Sequence, residues 1–315
     1  RSLSVKYLRD RLLANYGTLA RFASKTPRLS NWLANNSLVR NVAERTLGIT
    51  AEREAPEFAH ETFRDWWTAR GGAQVTSDEK RVAYFHGDYA NFNTPEVGKA
   101  LVQVYEAAGY EVTVPDQRCS GTPMFANGFL DDAERAARFN VDQLAAAIEE
   151  GYDIVATCTS CSLALREEYQ DLFDFEGVDT VAGHTYDAVE YLRANDELDR
   201  LELDGNRIPD AVSYHSPCHA SAQGVDGQSN PILDRAGVEV ADLGDDCSGM
   251  SGTYGWKDER YANSMAIGEE LFEEMEAAPA AHGITECPTC AMQMEHGTGY
   301  EVSHPIELIA GALRE

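Results

Sequence analysis

The cysteines of this 315-residue chain lie on a repeating grid. Cys158-Thr159-Ser160-Cys161 and Cys287-Pro288-Thr289-Cys290 are CxxC motifs, each following a short apolar run. Each has a Cys-Ser-Gly upstream, at Cys119-Ser120-Gly121 and Cys247-Ser248-Gly249. The CxxC motifs are 129 positions apart and the Cys-Ser-Gly motifs 128, and one step further upstream Asp88 pairs with Cys218 at 130. A spacing kept at four points is an internal duplication, and all seven cysteines belong to it. A CxxC brings two thiolates within reach of one metal ion or cluster. The grid therefore predicts two metal or iron–sulfur sites, one from Asp88, Cys119, Cys158 and Cys161, the other from Cys218, Cys247, Cys287 and Cys290. The glycine after each Cys-Ser would let backbone approach a bulky cofactor without a Cβ clash.

Three other chemistries compete. Zinc would accept the four cysteines of the second set, or three cysteines plus Asp88 in the first, but it more often uses two tight local pairs. A thioredoxin-like pair needs only CxxC and leaves Cys119, Cys218 and Cys247 without a role. Buried structural cysteines would not predict a repeat.

Elements that could position these residues alternate along the chain. Strands are expected at 82–85, 112–114 and 154–156, with helices at 95–105 and 131–150 and a further helix after Cys158. The plan returns with strands at 211–214, 238–240 and 284–287, a helix at about 260–275, and a final strand and helix. Alternating strands and helices imply a parallel sheet, and each proposed ligand follows a strand, at the carboxyl edge where such folds place their sites. The fold class is α/β, with two tandem parallel-sheet units flanked by helices and an N-terminal helical segment before them. The expected divisions are 1–80, 81–200 and 201–315. In the first, Leu8, Leu12, Tyr16 and Leu19 share a helical face, Trp66 and Trp67 of the connector anchor the N-terminal helices on the first domain, and Gly71-Gly72 marks a flexible joint.

The formal charge is −27, which argues against nucleic acid as a partner. Only five of the 26 basic residues are lysines. Abundant acid with scarce lysine suggests a surface adapted to high salt, as in a halophile. Residues 1–50 run the other way, with nine basic groups against two acids, or +7, leaving −34 for the rest. A basic amphipathic helix can lie on an anionic membrane surface or an acidic partner, or pack on the chain's own acidic body. No apolar run is long enough to span a bilayer, no signal peptide is present, and a start at Arg1 suggests a fragment or processed chain.

The doubled pattern resembles the cysteine-rich CCG-domain family, in which Cys, Cys-Cys-Gly and CxxC occur twice at such gaps, as in the B subunits of heterodisulfide reductases. The runs His86-Gly87-Asp88-Tyr89, Ala126-Asn127-Gly128-Phe129, Ala164-Leu165-Arg166-Glu167-Glu168-Tyr169, His215-Ser216-Pro217-Cys218-His219 and Gly252-Thr253-Tyr254-Gly255 are most similar to the branch formed by the C subunits of anaerobic glycerol-3-phosphate dehydrogenases. The likeness covers roughly residues 80–315 and, more loosely, the helical connector before them. Asp88 replaces the first cysteine of repeat one, and Ser120 and Ser248 replace the second cysteine of each Cys-Cys pair.

The resemblance implies an iron–sulfur electron-transfer subunit of a membrane-associated dehydrogenase complex. It would be cytoplasmic and peripheral at the inner face of the cell membrane, passing electrons from a flavin-containing subunit that holds FAD toward a quinone. Substrate oxidation would fall to that partner chain, since no Gly-x-Gly-x-x-Gly follows a strand here. The second repeat keeps the cysteines for a 4Fe-4S cluster, and the first has Asp88 as a possible oxygen ligand. The serines argue against the non-cubane cluster of a heterodisulfide-reductase-like catalytic subunit, the first alternative; a zinc-stabilised interaction scaffold is the second. The ferredoxin-like module of such relatives is missing before Cys119 and would lie upstream of Arg1. His86, His215, His219 and His304 neighbour the motifs and could donate to cluster sulfur or a quinone, or simply pack.

If the surface is adapted to salt, screening should relieve self-repulsion. The melting temperature is expected to rise between about 0.1 M and about 2 M KCl, a range over which the Debye length falls from about 10 Å to below about 3 Å. A flat or falling curve in a thermal-shift series would reject the high-salt reading.

Overall fold

The computed structural model describes residues 4–314; Arg1, one of the nine basic groups of the N-terminal segment, lies outside them. Two four-stranded sheets, every pairing parallel, carry the same strand order. In the first, β1 (Arg81–Phe85), β2 (Glu111–Thr113), β3 (Asp153–Ala156) and β4 (Thr185–Asp187) run β2-β1-β3-β4. In the second, β5 (Ala211–Tyr214), β6 (Glu239–Asp242), β7 (His282–Ile284) and β8 (Glu301–Ser303) run β6-β5-β7-β8.

The strands read as apolar because both faces are covered. Successive side chains of β1 alternate: Val82 and Tyr84 join one core cluster, Ala83 and Phe85 another. The outer cluster of the first repeat packs Ala83, Phe85, Ile154 and Ala156 on Ala137, Val141 and Leu144 of the helix Leu130–Glu149. The inner cluster is shared by the repeats. It joins Val82, Tyr84 and Val155 to Val212, Tyr214 and Ile284 through Leu101, Tyr105, Ile306 and Ile309 of the helices Pro95–Ala107 and Pro305–Ala312. Each sheet ends in a capping box, Asp187 with Glu190 after β4 and His304 with Glu307 after β8, which starts the next helix.

The N-terminal segment is helical but broken. Asn15 divides Val5–Ala14 from Tyr16–Ala23. The expected apolar face is not the buried one: Leu8 and Leu19 are about half exposed, while Arg9, Ala14 and Ala20 are buried. Small side chains let the helices sit close to the body, and Arg9 pins them. Its Nη1 donates to Glu259 Oε2 (2.7 Å) and to the Gly48 carbonyl (3.1 Å), and its Nη2 to Glu259 Oε1 (3.2 Å). This fork holds the Glu259 carboxyl down at about 2. Lys6 reaches Glu259 (3.2 Å) and Arg11 reaches Asp132 (2.9 Å), so the basic segment does pack on the chain's own acids, and Lys257 of the body returns a contact to Asp10 (3.2 Å). The opposite face stays bare. Among the described residues, ten of the thirteen exposed large hydrophobic side chains fall between 5 and 42, including Phe22, Trp32, Leu38 and Val42.

Trp66 and Trp67 pack on Phe63, whose ring meets Tyr84 edge-on at 5.3 Å, and so tie the connector to the first sheet. Gly71 and Gly72 form a defined turn with φ of +83° and +82°, closed by Arg70 on Glu106. Among the described residues no helix is long and apolar enough to cross a membrane.

Candidate functional site

The two predicted ligand sets occupy equivalent places, beyond the carboxyl ends of three strands in each sheet. Asp88 follows β1, Cys119 follows β2 and Cys158 follows β3. Cys218, Cys247 and Cys287 follow β5, β6 and β7 in the same way. Each CxxC turns straight from strand into helix: Cys158 precedes Thr159–Leu163 and Cys287 precedes Pro288–Thr298. At Cys287 the Thr289 and Cys290 amides of this helix start favour the charged sulfur. After Cys161 the helix continues through a π turn at Ala164–Glu168, a feature without a counterpart after Cys290.

In the second set, Cys287 and Cys290 interact through their sulfurs, and Cys218 feels both Cys247 and Cys287. The Cys290 thiol, followed by Thr289, pulls Cys287 toward the thiolate; Thr289 Oγ1 lies 3.2 Å from its sulfur. The Gly249 amide donates to Cys247 Sγ at 3.4 Å and Ser248 Oγ donates to Cys290 Sγ at 3.3 Å. Cys287 and Cys290 are buried, Cys218 and Cys247 exposed. In the first set, Cys161 interacts with Cys158 and Ser120, and Cys119 with Asp88 and Cys158. The serines that stand in place of family cysteines thus both address the second sulfur of a CxxC.

Asp88 is the odd member, and nothing in the sequence pattern pointed to what covers it. A Cβ on Gly17 would fall 2.2 Å from Asp88 Oδ2. Helix Tyr16–Ala23 therefore roofs this carboxylate, and the glycine that weakens helix propensity there is what admits it. Tyr16 stacks on Tyr89 at 5.3 Å and donates its hydroxyl to Asn93 at 2.8 Å, fixing the roof. Burial lifts the Asp88 carboxyl to about 6 against the pull of Cys119 and Arg21, and Oδ2 has no hydrogen-bond partner. His219, next to Cys218, meets Ser160 of the first CxxC at 2.9 Å, so the two sets are neighbours.

The residues fit the groups the grid predicts. Four thiols converge on one sheet edge in the second set, and soft sulfur suits iron–sulfur clusters. Three thiols and a carboxylate oxygen lacking a donor do so in the first. Room beside the sulfur matters as well: Gly87, at φ +65°, would bring a Cβ to 3.1 Å from Cys161 Sγ. Among the described residues, no three His, Cys, Asp or Glu side chains close to the spacing of a single metal ion.

One expectation changes. The glycines after Cys-Ser do not clear space for a cofactor. Gly249 (φ +86°) would place a Cβ 2.1 Å from the Ser264 carbonyl, and Gly121 (φ +91°) 3.4 Å from Ala133 Cβ, so both admit the helix behind the loop. The histidines reach backbone and hydroxyl groups near CxxC: His219 Nδ1 pairs with Ser160 Oγ at 2.9 Å, and His304 Nε2 donates to the Thr157 carbonyl at 2.7 Å. Both bonds join one repeat to the other. His86 Nδ1 meets the Gly87 carbonyl at 2.5 Å, and both ring nitrogens of His215 are buried without partners.

The family description "CCG: Cysteine-rich domain" matches residues 82–166 and 212–295. The C subunit of the anaerobic glycerol-3-phosphate dehydrogenase of Escherichia coli K12 is 34% identical over 310 residues, which is 97% of this chain and 77% of that one. The B subunit of the fumarate reductase (CoM/CoB) of Methanothermobacter marburgensis is 30% identical over 221 residues, 68% of this chain and 42% of its own length. Lactate utilization protein A 2 of Bacillus cereus is 26% identical over 236 residues, 70% of this chain and 94% of its own.

His304 gives the inter-repeat seam a pH dependence. Its Nδ1 accepts from the Ile306 amide at 3.0 Å, so the ring is neutral, and burial lowers its pKa from 6.5 to about 4. Between those values the unfolded chain binds the extra proton, so stability is whole above 6.5 and is lost as pH falls toward 4. His215, also lowered by burial to about 4, acts in the same window. Buried Asp88, Asp187 and Glu286, whose carboxyls burial raises, act in the opposite direction, so the test is the difference between parent and variant. His304→Gln should lose about 1–2 kcal/mol at pH 7, the worth of a buried hydrogen bond left unmade, and its urea midpoint should drop less than the parent's, or rise more, between pH 7 and pH 5. An unchanged slope would mean that His304 is not the neutral pin.

Proposed function

From the premise that the chain belongs to the cysteine-rich CCG-domain family, we propose that it is the iron–sulfur electron-transfer subunit of a membrane-associated glycerol-3-phosphate dehydrogenase complex. Electrons would arrive from a flavin-containing partner and leave toward a quinone. One observation carries the reading: two sheets of identical strand order set two cysteine-rich ligand groups at equivalent carboxyl edges, next to each other. Its named relatives are subunits of a dehydrogenase and of a reductase, which makes partner subunits part of the reading.

Cys218, Cys247, Cys287 and Cys290 would hold a 4Fe-4S cluster, and Cys119, Cys158, Cys161 and Asp88 would hold the first-site group. Such groups supply one-electron transfer when bound. The protein's part is to hold the sulfurs at helix starts, donate to them from Ser248, Gly249 and Thr289, and exclude water from Cys287 and Cys290. The exposed apolar face of residues 5–42, with Lys6, Arg21, Lys25, Arg28 and Arg40 on the same segment, would rest on the anionic inner face of the membrane.

Iron and acid-labile sulfide in anaerobically reconstituted protein test the reading; zinc without sulfide would replace it with the scaffold. Cys287→Ala or Cys290→Ala should remove most of the iron–sulfur signal, Cys158→Ala or Cys161→Ala less. Asp88→Cys, a smaller side chain beneath Gly17, should raise iron occupancy of the first site. Two sites of equal stability, both indifferent to Asp88→Ala, would rule out the asymmetric ligand sets.

Vesicle sedimentation tests the surface. The chain should bind phosphatidylglycerol vesicles better than neutral ones and release at high salt. Replacing both Phe22 and Trp32 with Gln should weaken binding at least about tenfold, given roughly 1.5–3 kcal/mol per buried large side chain. Equal binding by the variant would remove this face from the interface.

A further inference from the structure

Arg53 lies in the connector yet is 3% exposed. Its polar contacts are all neutral. Nε donates to the Gly255 carbonyl at 2.9 Å and Nη2 to Ser264 Oγ at 3.1 Å, with Met265 Sδ at 3.5 Å, while the guanidinium lies 5.2 Å from the Tyr261 ring centroid. Among the described residues it forms no ion pair. The acids that share its cavity, Glu54, Glu57 and Glu295, lie beyond ion-pair distance, so the buried cation lacks a direct counter-charge, which is costly.

The hydrogen bonds lead to the second site. Ser264 Oγ, which accepts from Arg53, donates to the Gly249 carbonyl at 2.7 Å. Gly249 is the glycine of Cys247-Ser248-Gly249, and its own amide donates to Cys247 Sγ. Gln293, three residues past Cys290, donates to the Ser264 carbonyl at 3.2 Å. Arg53 is thus braced, through one serine, against the Cys247 loop and the helix that carries Cys290, two of the three segments that supply the ligands of that site. The first repeat has no such brace: where Ser264 meets Gly249, Ala133 meets Gly121 and offers no hydroxyl.

We infer that Arg53 is the buried counter-charge of the iron–sulfur group in the second site, positioned by Ser264, and that it favours that group's reduced state. The inference rests on the iron–sulfur reading above. A cluster on four thiolates is anionic and gains one more negative charge with each electron taken up, so a buried cation joined to the Cys247 loop through Ser264 and the Gly249 backbone stabilises the reduced form more than the oxidised one. Arg53 touches no reacting atom; it is a positioning residue whose charge acts across Ser264 and the Gly249 backbone.

The test is a redox titration of the reconstituted full chain, with dithionite as reductant and electron paramagnetic resonance as readout. Arg53→Met should lower the midpoint potential of the second-site signal, and Ser264→Ala should lower it less. Arg53→Lys, which keeps the charge, should restore most of it, and the first-site signal should not move. Thermal unfolding gives a readout without electron transfer: loading iron and sulfide should raise the melting temperature less in Arg53→Met than in the parent. If Arg53→Met retains no cluster, Ser264→Ala decides. A loaded parent whose potential matches those of Arg53→Met and Ser264→Ala overturns the inference and leaves the iron–sulfur reading standing. A parent that takes up no iron and sulfide overturns both.

Discussion

Parallel sheets need cover on both faces, and here two sheets share the cover on one of them. The helices Pro95–Ala107 and Pro305–Ala312 fill the layer between the sheets, and the core through Leu101, Tyr105, Ile306 and Ile309 is continuous from Val82 to Ile284. That shared layer fixes the sheets against each other and with them their carboxyl edges. The ligand groups are neighbours for this reason: neither loop set could be moved without repacking side chains that interdigitate as tightly as a crystal. The polar seam at Thr157, Thr159 and Ser160, met by His304, Gln223 and His219, then sets the register of the two edges at finer scale.

Duplication made much of this readable in the sequence. The cysteine grid located both ligand sets, and the alternation of short apolar runs with helical stretches located seven of the eight strands. β4 escaped because the copies have diverged: thirteen more residues separate Cys158 from β4 than separate Cys287 from β8, filled by the π turn and the helix Val178–Gly183. Thr185-Tyr186-Asp187 is also too short and too polar to stand out by pattern. The glycine after each Cys-Ser was legible as a backbone requirement but not in its object, because the helix that needs the space lies 15 residues further on in one copy and 12 in the other.

The N-terminal helices show where pattern reading fails for a physical reason. Hydrophobic periodicity assumes that large apolar residues mark the buried face. In residues 5–23 close approach matters more, so alanines and a paired arginine are buried while leucines face outward. The same segment serves two surfaces, one held to the body by Arg9 and Glu259, one left apolar and basic. Divergence of the repeats follows from this asymmetry too: one ligand set lies beneath a helix, and the other is open at Cys218 and Cys247.

The contact between Gly17 and Asp88 ties these surfaces together. Asp88 cannot change position without shifting helix Tyr16–Ala23, and that helix carries Leu19, Phe22 and Arg21 on its outward side. Whatever binds at Asp88 and whatever binds the outer face of the helix therefore act on one mechanical element. Thermodynamic linkage makes such coupling reciprocal: the free energy by which occupancy at one end alters affinity at the other is the same in both directions.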